Sequence, residues 1–231
     1  MKNKIFLLIL ILSMVLITGC DNKKDNKKEY SKEALAFKKD YESLNGKKNK
    51  NGKKHRSVSI SKDNPFEKIN ASDVLAKMEN KETFYLYFGD KQCPWCRSVI
   101  EKAIEMANKK KIKKIYYVSI WDDEGNEILR DTYKLGKKNK PTKVFEGSEE
   151  YKKLLEKLSG VLLEYTLTDS EGKDVVVGEK RIYAPNFIYI KDGNAVKLTE
   201  GISDKQEDAR EKLTEEMLVD EEYLFDDFFT N

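Results

Sequence analysis

The stretch that most constrains this chain is FYLYFGDKQCPWCR, residues 84–97: a short aromatic-rich run, a Gly89-Asp90 break, and two cysteines separated by Pro94-Trp95. The apolar run over residues 83–88 is too short for a helix and ends in turn residues, so it reads as a buried strand. Beyond it, Val99, Ile100, Ala103, Ile104 and Ala107 recur at three- and four-residue spacing, and Cys96 continues that stripe one turn earlier. The pattern predicts an amphipathic helix with Cys96 facing the core. Cys93 falls off the stripe and is expected to open to solvent at the helix N-terminus. There, unpaired backbone N–H groups and the macrodipole favour a thiolate. One sulfur is poised for nucleophilic attack and the other is shielded.

Far downstream, Ala184-Pro185 precedes the run Asn186-Phe187-Ile188-Tyr189-Ile190 and a Lys191-Asp192-Gly193 turn. Proline is tolerated at the first residue of a strand, and Asp-Gly is a strong hairpin signal. A strand, Cys-Pro-Trp-Cys and a helix, followed by a strand-opening proline and a Lys-Asp-Gly turn, resemble the thioredoxin superfamily over roughly residue 83 to the C-terminus. The resemblance implies an α/β, thioredoxin-like fold with a central mixed sheet flanked by helices and an insertion before the cis-proline strand. It also implies a cis Ala184–Pro185 bond lying against Cys93, and a catalytic pair, Cys93 and Cys96, that cycles between dithiol and disulfide. In that scheme the Cys93 thiolate attacks a partner disulfide and Cys96 resolves the mixed disulfide; an oxidase runs the same steps backwards. Trp95, Ala184 and Pro185 are the expected substrate contacts, with Trp95 exposed. Arg97, one turn after Cys93, is positioned to stabilise the thiolate by charge. Pro94-Trp95 is nearer to the Pro-Tyr of glutaredoxins than to the Gly-Pro of thioredoxins. The chain departs from thioredoxins in having no buried carboxylate in the preceding strand, where Leu86-Tyr87-Phe88 stands instead.

The N-terminus supplies an address. Residues 1–19 have Lys2 and Lys4 at the start, an apolar stretch over 5–16, and an ending in which Ile17-Thr18-Gly19-Cys20 resembles the lipobox of bacterial lipoproteins. The reading is a lipoprotein signal peptide cleaved before a lipidated Cys20; an ordinary secretory signal is the alternative, and either exports the chain. The apolar stretch is well short of the about 20 residues a spanning helix needs. With Cys20 carrying lipid, Cys93 and Cys96 remain as the disulfide pair in an oxidising compartment. A bridge over two intervening residues constrains the unfolded chain little, which favours a redox role over a structural one. Half of a zinc or copper site is the competing use, but it needs more ligands and the chain has one histidine, His55. No metal or cofactor is expected, and most nucleophile–histidine hydrolase schemes are ruled out because no imidazole other than His55 is available as base.

Residues 20–56 read as the lipidated cysteine and a basic tether: from residue 21 onward it holds 13 Lys/Arg against 6 Asp/Glu. Basic charge near a lipid anchor is drawn to anionic headgroups, although a plain solvated spacer with no specific partner is the favoured account of it. Within it Ala34, Phe37, Tyr41 and Leu44 have helical spacing after Ser31, which predicts a short helix that docks on the domain.

The folded domain is expected over residues 57–231, with an insertion at about 122–182. Residues 57–61 read as a strand, Asn70 as the cap of a short helix, and residues 112–121 as a strand parallel to that of residues 83–88. Trp121, Asp122 and Asp123 lie just past its end, where they read first as a solvated acidic turn and second as a border of the site. Of the insertion, residues 122–147 read as a charged loop or lid, 149–158 as a helix and 161–177 as a hairpin turning at Asp169-Ser170-Glu171-Gly172. A last helix is expected from Ser203 to about Phe229, its acidic residues forming a solvated face. Nothing in the charge pattern invites nucleic acid.

The function expected from this reading is a lipid-anchored, extracytoplasmic thiol–disulfide oxidoreductase. It acts on thiols and disulfides of exported proteins and is returned to its starting state by a separate redox partner. The alternative is a non-catalytic or dedicated accessory lipoprotein of the same fold, like the thioredoxin-like proteins that accompany bacteriocin export.

Overall fold

The structure, a computed structural model, describes residues 29–230. In chain order its elements are α1 (Lys32–Glu42), β1 (Phe66–Lys68), α2 (Ala71–Glu79), β2 (Phe84–Gly89), α3 (Pro94–Lys109), β3 (Ile115–Ser119), β4 (Thr132–Leu135), β5 (Pro141–Phe145), α4 (Glu149–Leu158), β6 (Leu163–Thr168), β7 (Asp174–Arg181), β8 (Asn186–Lys191), β9 (Asn194–Thr199) and α5 (Glu215–Phe229). Five strands form a mixed sheet in the order β1-β3-β2-β8-β9, and β4-β5 and β6-β7 form two separate hairpins. β1, β3 and β2 run parallel, whereas β8 is antiparallel to β2 and to β9. The chain is thus an α/β fold with helices on both faces of one sheet.

Strand alternation divides the core. On β2, Tyr85 and Tyr87 join Ile115, Tyr117 and Phe187 on the face covered by α1, α3 and α5, while Phe84, Leu86 and Phe88 join Val118, Ile188 and Ile190 on the face covered by α2 and α4. Every residue of β2 is buried, as expected of a central strand flanked on both sides. α2 opens with a full capping box, Asn70 accepting from the Asp73 N–H and the Asp73 carboxylate accepting from the Asn70 N–H. The β8–β9 turn carries positive φ at Asp192 and Gly193. A side chain on Gly193 would meet the Met78 carbonyl oxygen at 2.2 Å, so both conformation and space require glycine there.

Four segments differ from the sequence expectation. Folded structure begins near Ser31, not at residue 57: Ser31 caps α1, and Ala34, Phe37 and Tyr41 are buried, with Phe37 stacked on Phe66 at 4.4 Å. Much of the expected tether is therefore part of the domain; the expected signal peptide, Cys20 and the residues up to 28 lie outside the described residues. Residues 57–61 form no strand. Val58 and Ile60 are buried, but this stretch pairs its backbone with side chains, Val58 with Asn45, Ser59 N–H with Glu101 and Ile60 N–H with Glu42. Within residues 122–147, which read as a loop, lie β4 and β5 and the buried Leu129, Arg130 and Asp131. The last helix starts at Glu215, capped by Thr214, because Ser203 is turned inward and donates to Asp220 at 2.7 Å. Its acidic face is partly neutralised by α3, through Lys109–Glu222 and Lys110–Asp226, both at 2.8 Å.

Candidate redox site

Cys93 is the N-cap of α3, with Pro94 in the first turn, where a missing N–H costs nothing. Its sulfur accepts the Cys96 N–H at 3.3 Å and donates to the Ala184 carbonyl oxygen, also at 3.3 Å. Antiparallel pairing of β2 with β8 sets Phe88 opposite Asn186, which carries the preceding Ala184–Pro185 peptide, in the cis form, to the cysteine loop. Residues 91 positions apart in the chain meet here. Both cysteines are free thiols.

Cys96 is fully buried, as its helical stripe predicts. Cys93 is not open to solvent: it is only 4% exposed, because position on the helix stripe decides which way a residue faces but not what covers it, and the 183–185 loop does the covering. Trp95 is half-buried rather than exposed and packs against the core. With Tyr183, Ala184, Glu200, Ile202 and Gln206 it lines a groove of about 370 Å³. A larger groove, about 570 Å³, lies on the other side of the cysteine loop and is lined by Asp90, Lys91, Trp121, Asp122 and Asp123 among others. Trp121 and the two aspartates line that groove, while the Asp123 side chain is also largely exposed, as a solvated acidic turn would be.

Burial disfavours ionisation of Cys93, but its hydrogen bonds with Cys96 and the positive charge of Arg130 outweigh this and hold the thiol below its ordinary value. Burial pushes Cys96 well up, and the hydrogen bond and charge of Cys93 push it further. Their environments separate the two sulfurs as nucleophile and resolving thiol require.

Arg97 does not act on Cys93 as expected. Its fully buried guanidinium donates to the carbonyl oxygens of Arg56 (2.6 Å), Tyr41 (2.8 Å) and Lys91 (3.0 Å) and to Asn45 Oδ1 (2.8 Å). The cation that lowers Cys93 is Arg130, from the insertion, which pairs with Glu127 at 2.6 Å and donates to the Ile182 carbonyl at 3.1 Å. The insertion also fixes the 183–185 loop: the Tyr183 hydroxyl donates to Glu164 O and accepts the Thr166 N–H, both at 3.0 Å. Arg181 stacks over Tyr165 at 4.0 Å and donates to Asp131 O.

Two further groups escaped the sequence reading. Asp90 is buried directly after β2; burial raises its carboxyl to about 6, against the opposing hydrogen bonds from Ser119 Oγ and the Gln92 N–H. An acid between a strand end and a Cys-x-x-Cys is a visible signal, although in sequence Gly89-Asp90 also has the form of a simple strand break. Tyr41, 46 residues before Tyr87 in the chain, places its hydroxyl 2.9 Å from that of Tyr87. No local pattern announces that contact. Among the described residues no group of three or more His, Cys, Asp or Glu is placed to hold a metal ion, and no helix is long and apolar enough to cross a membrane.

No protein-family model matches the chain, and no curated protein matches it in sequence.

Proposed function

We propose that the chain is a thioredoxin-like thiol–disulfide oxidoreductase, held at the extracytoplasmic face of a cell membrane by lipid on Cys20 and acting on exported proteins through Cys93 and Cys96. The observation that carries this reading is the position of Cys93. It caps α3, takes the Cys96 N–H, and lies 3.3 Å from the Ala184 carbonyl beside the cis Ala184–Pro185 bond. The sheet order and the opposite pKa directions of the two thiols support it further.

In the reductive direction, the Cys93 thiolate attacks one sulfur of a partner disulfide and the other sulfur leaves as a thiolate. Cys96 then loses its proton and attacks Cys93; the Cys93–partner bond breaks, the Cys93–Cys96 bond forms, and the released partner sulfur takes up a proton. The dithiol is oxidised and the partner disulfide is reduced. A separate redox partner resets the pair. Trp95 and Ala184, which line the groove beside the cysteines, offer the partner an apolar wall, with the cis Pro185 next in the chain.

The test is to express Cys96→Ala and resolve the cell envelope by non-reducing electrophoresis. Mixed disulfides that need Cys93 and vanish with reductant are expected, and a variant that traps nothing would sink the reading. Cys20→Ser is expected to shift the protein out of the membrane fraction; unchanged processing and retention would remove the lipid anchor from the proposal.

The burial of Cys93 favours a second reading, a dedicated accessory protein whose thiol opens only to one partner. One recurrent trapped chain, with no acceleration of insulin reduction by dithiothreitol, would decide for it.

A further inference from the structure

The two grooves beside the cysteine loop differ in how their charges are met. In the larger one three carboxylates are already engaged: Lys91 pairs with Asp40 at 2.7 Å and with Asp123 at 2.6 Å, and the Asp90 oxygens accept from Ser119 Oγ and the Gln92 N–H. The groove of about 370 Å³ beside Trp95 has acids and no lysine or arginine in its lining: Glu200 and Asp204 stand against an apolar wall of Trp95, Ala184 and Ile202. Glu200 is half-buried. Burial alone acts on its carboxyl, which it raises, with no hydrogen bond or neighbouring charge among the described residues to offset it.

The rest of the lining supplies acceptors and commits its donors elsewhere. Gln206 is 6% exposed; its amide nitrogen donates to Asp208 O at 3.2 Å, and its Oε1 has no partner among the described residues. Ser203 Oγ donates to Asp220, and the Tyr183 hydroxyl donates to Glu164 O. The lysines on either side of Glu200 in the chain are both drawn to α5, Lys197 to Asp227 at 2.9 Å and Lys205 to Asp220 at 2.6 Å. The segment itself is fixed, since the Gly201 N–H donates to Thr199 Oγ1 at 3.0 Å and Gly201 lies against the Phe225 ring. A carboxylate is thus held in a half-buried place at a cost that nothing within the chain relieves.

We propose that this groove receives a lysine or arginine close in sequence to the reacting cysteine of the partner, and that Glu200 is the residue that selects it. This rests on the oxidoreductase reading and names the class of segment on which that reading acts. A long cationic side chain lays its methylene stem along Trp95 and Ile202 and brings its N–H donors to Glu200, with Gln206 Oε1 as a second acceptor. Pairing relieves the isolated carboxylate and breaks no contact already made. An acidic segment meets Glu200 and Asp204 as like charges and is turned away. Ala184 lines the groove and also accepts from Cys93 at 3.3 Å, so the recognised side chain lies about two or three residues from the attacked sulfur in an extended partner.

The test uses the full chain carrying Cys20→Ser, reduced and held in a non-ionic detergent. Its substrates are short peptides with one cysteine flanked on both sides by lysine, glutamine or glutamate, each joined through a disulfide to thionitrobenzoate. The Cys93 thiolate attacks the peptide sulfur, the bond to thionitrobenzoate breaks, and thionitrobenzoate leaves as a coloured thiolate followed by stopped flow. Each rate is divided by that of the same peptide with 2-mercaptoethanol, which removes the peptide's own reactivity. The lysine peptide is expected to react about tenfold faster than the glutamate peptide, with glutamine between them. Glu200→Gln is expected to reduce that preference to about threefold or less, and Asp204→Asn, on the exposed rim, to reduce it by a smaller factor. Glu171→Gln, the same loss of charge on the β6–β7 turn outside the groove, is expected to keep it. Equal normalised rates for the three peptides, or a preference undiminished in both groove variants, overturn the proposal. So does a loss in Glu171→Gln as large as in Glu200→Gln, because net charge alone then accounts for the preference. A parent protein that releases thionitrobenzoate from none of the peptides overturns the oxidoreductase reading itself, which distinguishes the two failures.

Discussion

The guanidinium of Arg97, the residue after Cys96, donates to the carbonyl oxygen of Tyr41 at 2.8 Å across 56 positions of sequence. It donates as well to Arg56, Lys91 and Asn45. A buried cation with oxygen acceptors around it ties the segment that follows α1 to the helix that carries the thiols. Burial lowers its pKa from the ordinary arginine value, an expected cost of this arrangement. Arg97→Ala removes the cation and leaves several buried acceptors bare. We expect a loss of about 3 kcal/mol or more in urea unfolding, together with loss of hydrogen-exchange protection in α1. A variant as stable as the parent would show that the N-terminal segment is held by its apolar contacts alone.

Gly89 is the space that the Tyr87 hydroxyl occupies. Gly89→Ala sets a methyl against the Tyr87 hydroxyl, whose ring is stacked on both Phe187 and Tyr117. Overpacking of this kind costs about 2–3 kcal/mol. A thermal midpoint within a degree of the parent would contradict the described position of the ring.

Arg130→Gln removes a cation that favours the Cys93 thiolate and is expected to raise the Cys93 pKa. The direction follows from the sign: a cation favours the thiolate, so its loss favours the thiol. Absorbance of the thiolate near 240 nm, followed against pH, measures this. Because Glu127 loses its partner at the same time, Glu127→Gln/Arg130→Gln serves as the control. A titration curve that stays in place in both variants assigns the low value to the helix terminus instead.

Glu221 of α5 is fully buried, and among the described residues neither of its carboxylate oxygens has a hydrogen-bond partner. Burial raises its carboxyl from 4.5 to about 7, despite the opposing charges of Lys102 and Arg56. A carboxyl whose folded value is raised contributes stability that is fully present below the unfolded value near 4.5 and is lost as pH rises through 7. Glu221→Gln is therefore expected to stabilise the protein at pH 8 by on the order of 2 kcal/mol and to change little at pH 4.5. Equal pH slopes for variant and parent would count against it.

What the sequence made legible was local. Helix α4 was readable because Tyr151, Leu154, Leu155 and Leu158 mark one face, and the β8–β9 turn because Asp192-Gly193 needs positive φ. Cys96 was placed correctly because its burial follows from helix periodicity. Cys93 was not, because its cover comes from residues 91 positions away. Arg97 read as a charge beside a thiolate, since spacing along a helix does not reveal four acceptors gathered from other segments. Residues 57–61 have the alternation of a strand, yet side chains of Asn45, Glu42 and Glu101 take the bonds a neighbouring strand would have taken. Arg130 and Asp131 sit in a charged stretch whose buried members have no periodicity to betray them.

The redox helix α3 is closed from both ends of the chain, by Tyr41 and Arg56 on one side and by Phe225 and Phe228 of α5 on the other. Contacts so distant in sequence form late and slowly in folding, since loop closure precedes the gain from packing. During synthesis from the N-terminus, Cys93 and Cys96 exist for most of the chain's length as ordinary unprotected thiols. The pair acquires its cover only when the 183–185 loop reaches Cys93, and its unequal acidities only when burial, the Cys93–Cys96 hydrogen bonds and Arg130 are all in place. Oxidants that meet the nascent chain before that moment meet two similar cysteines; afterwards they meet a differentiated pair.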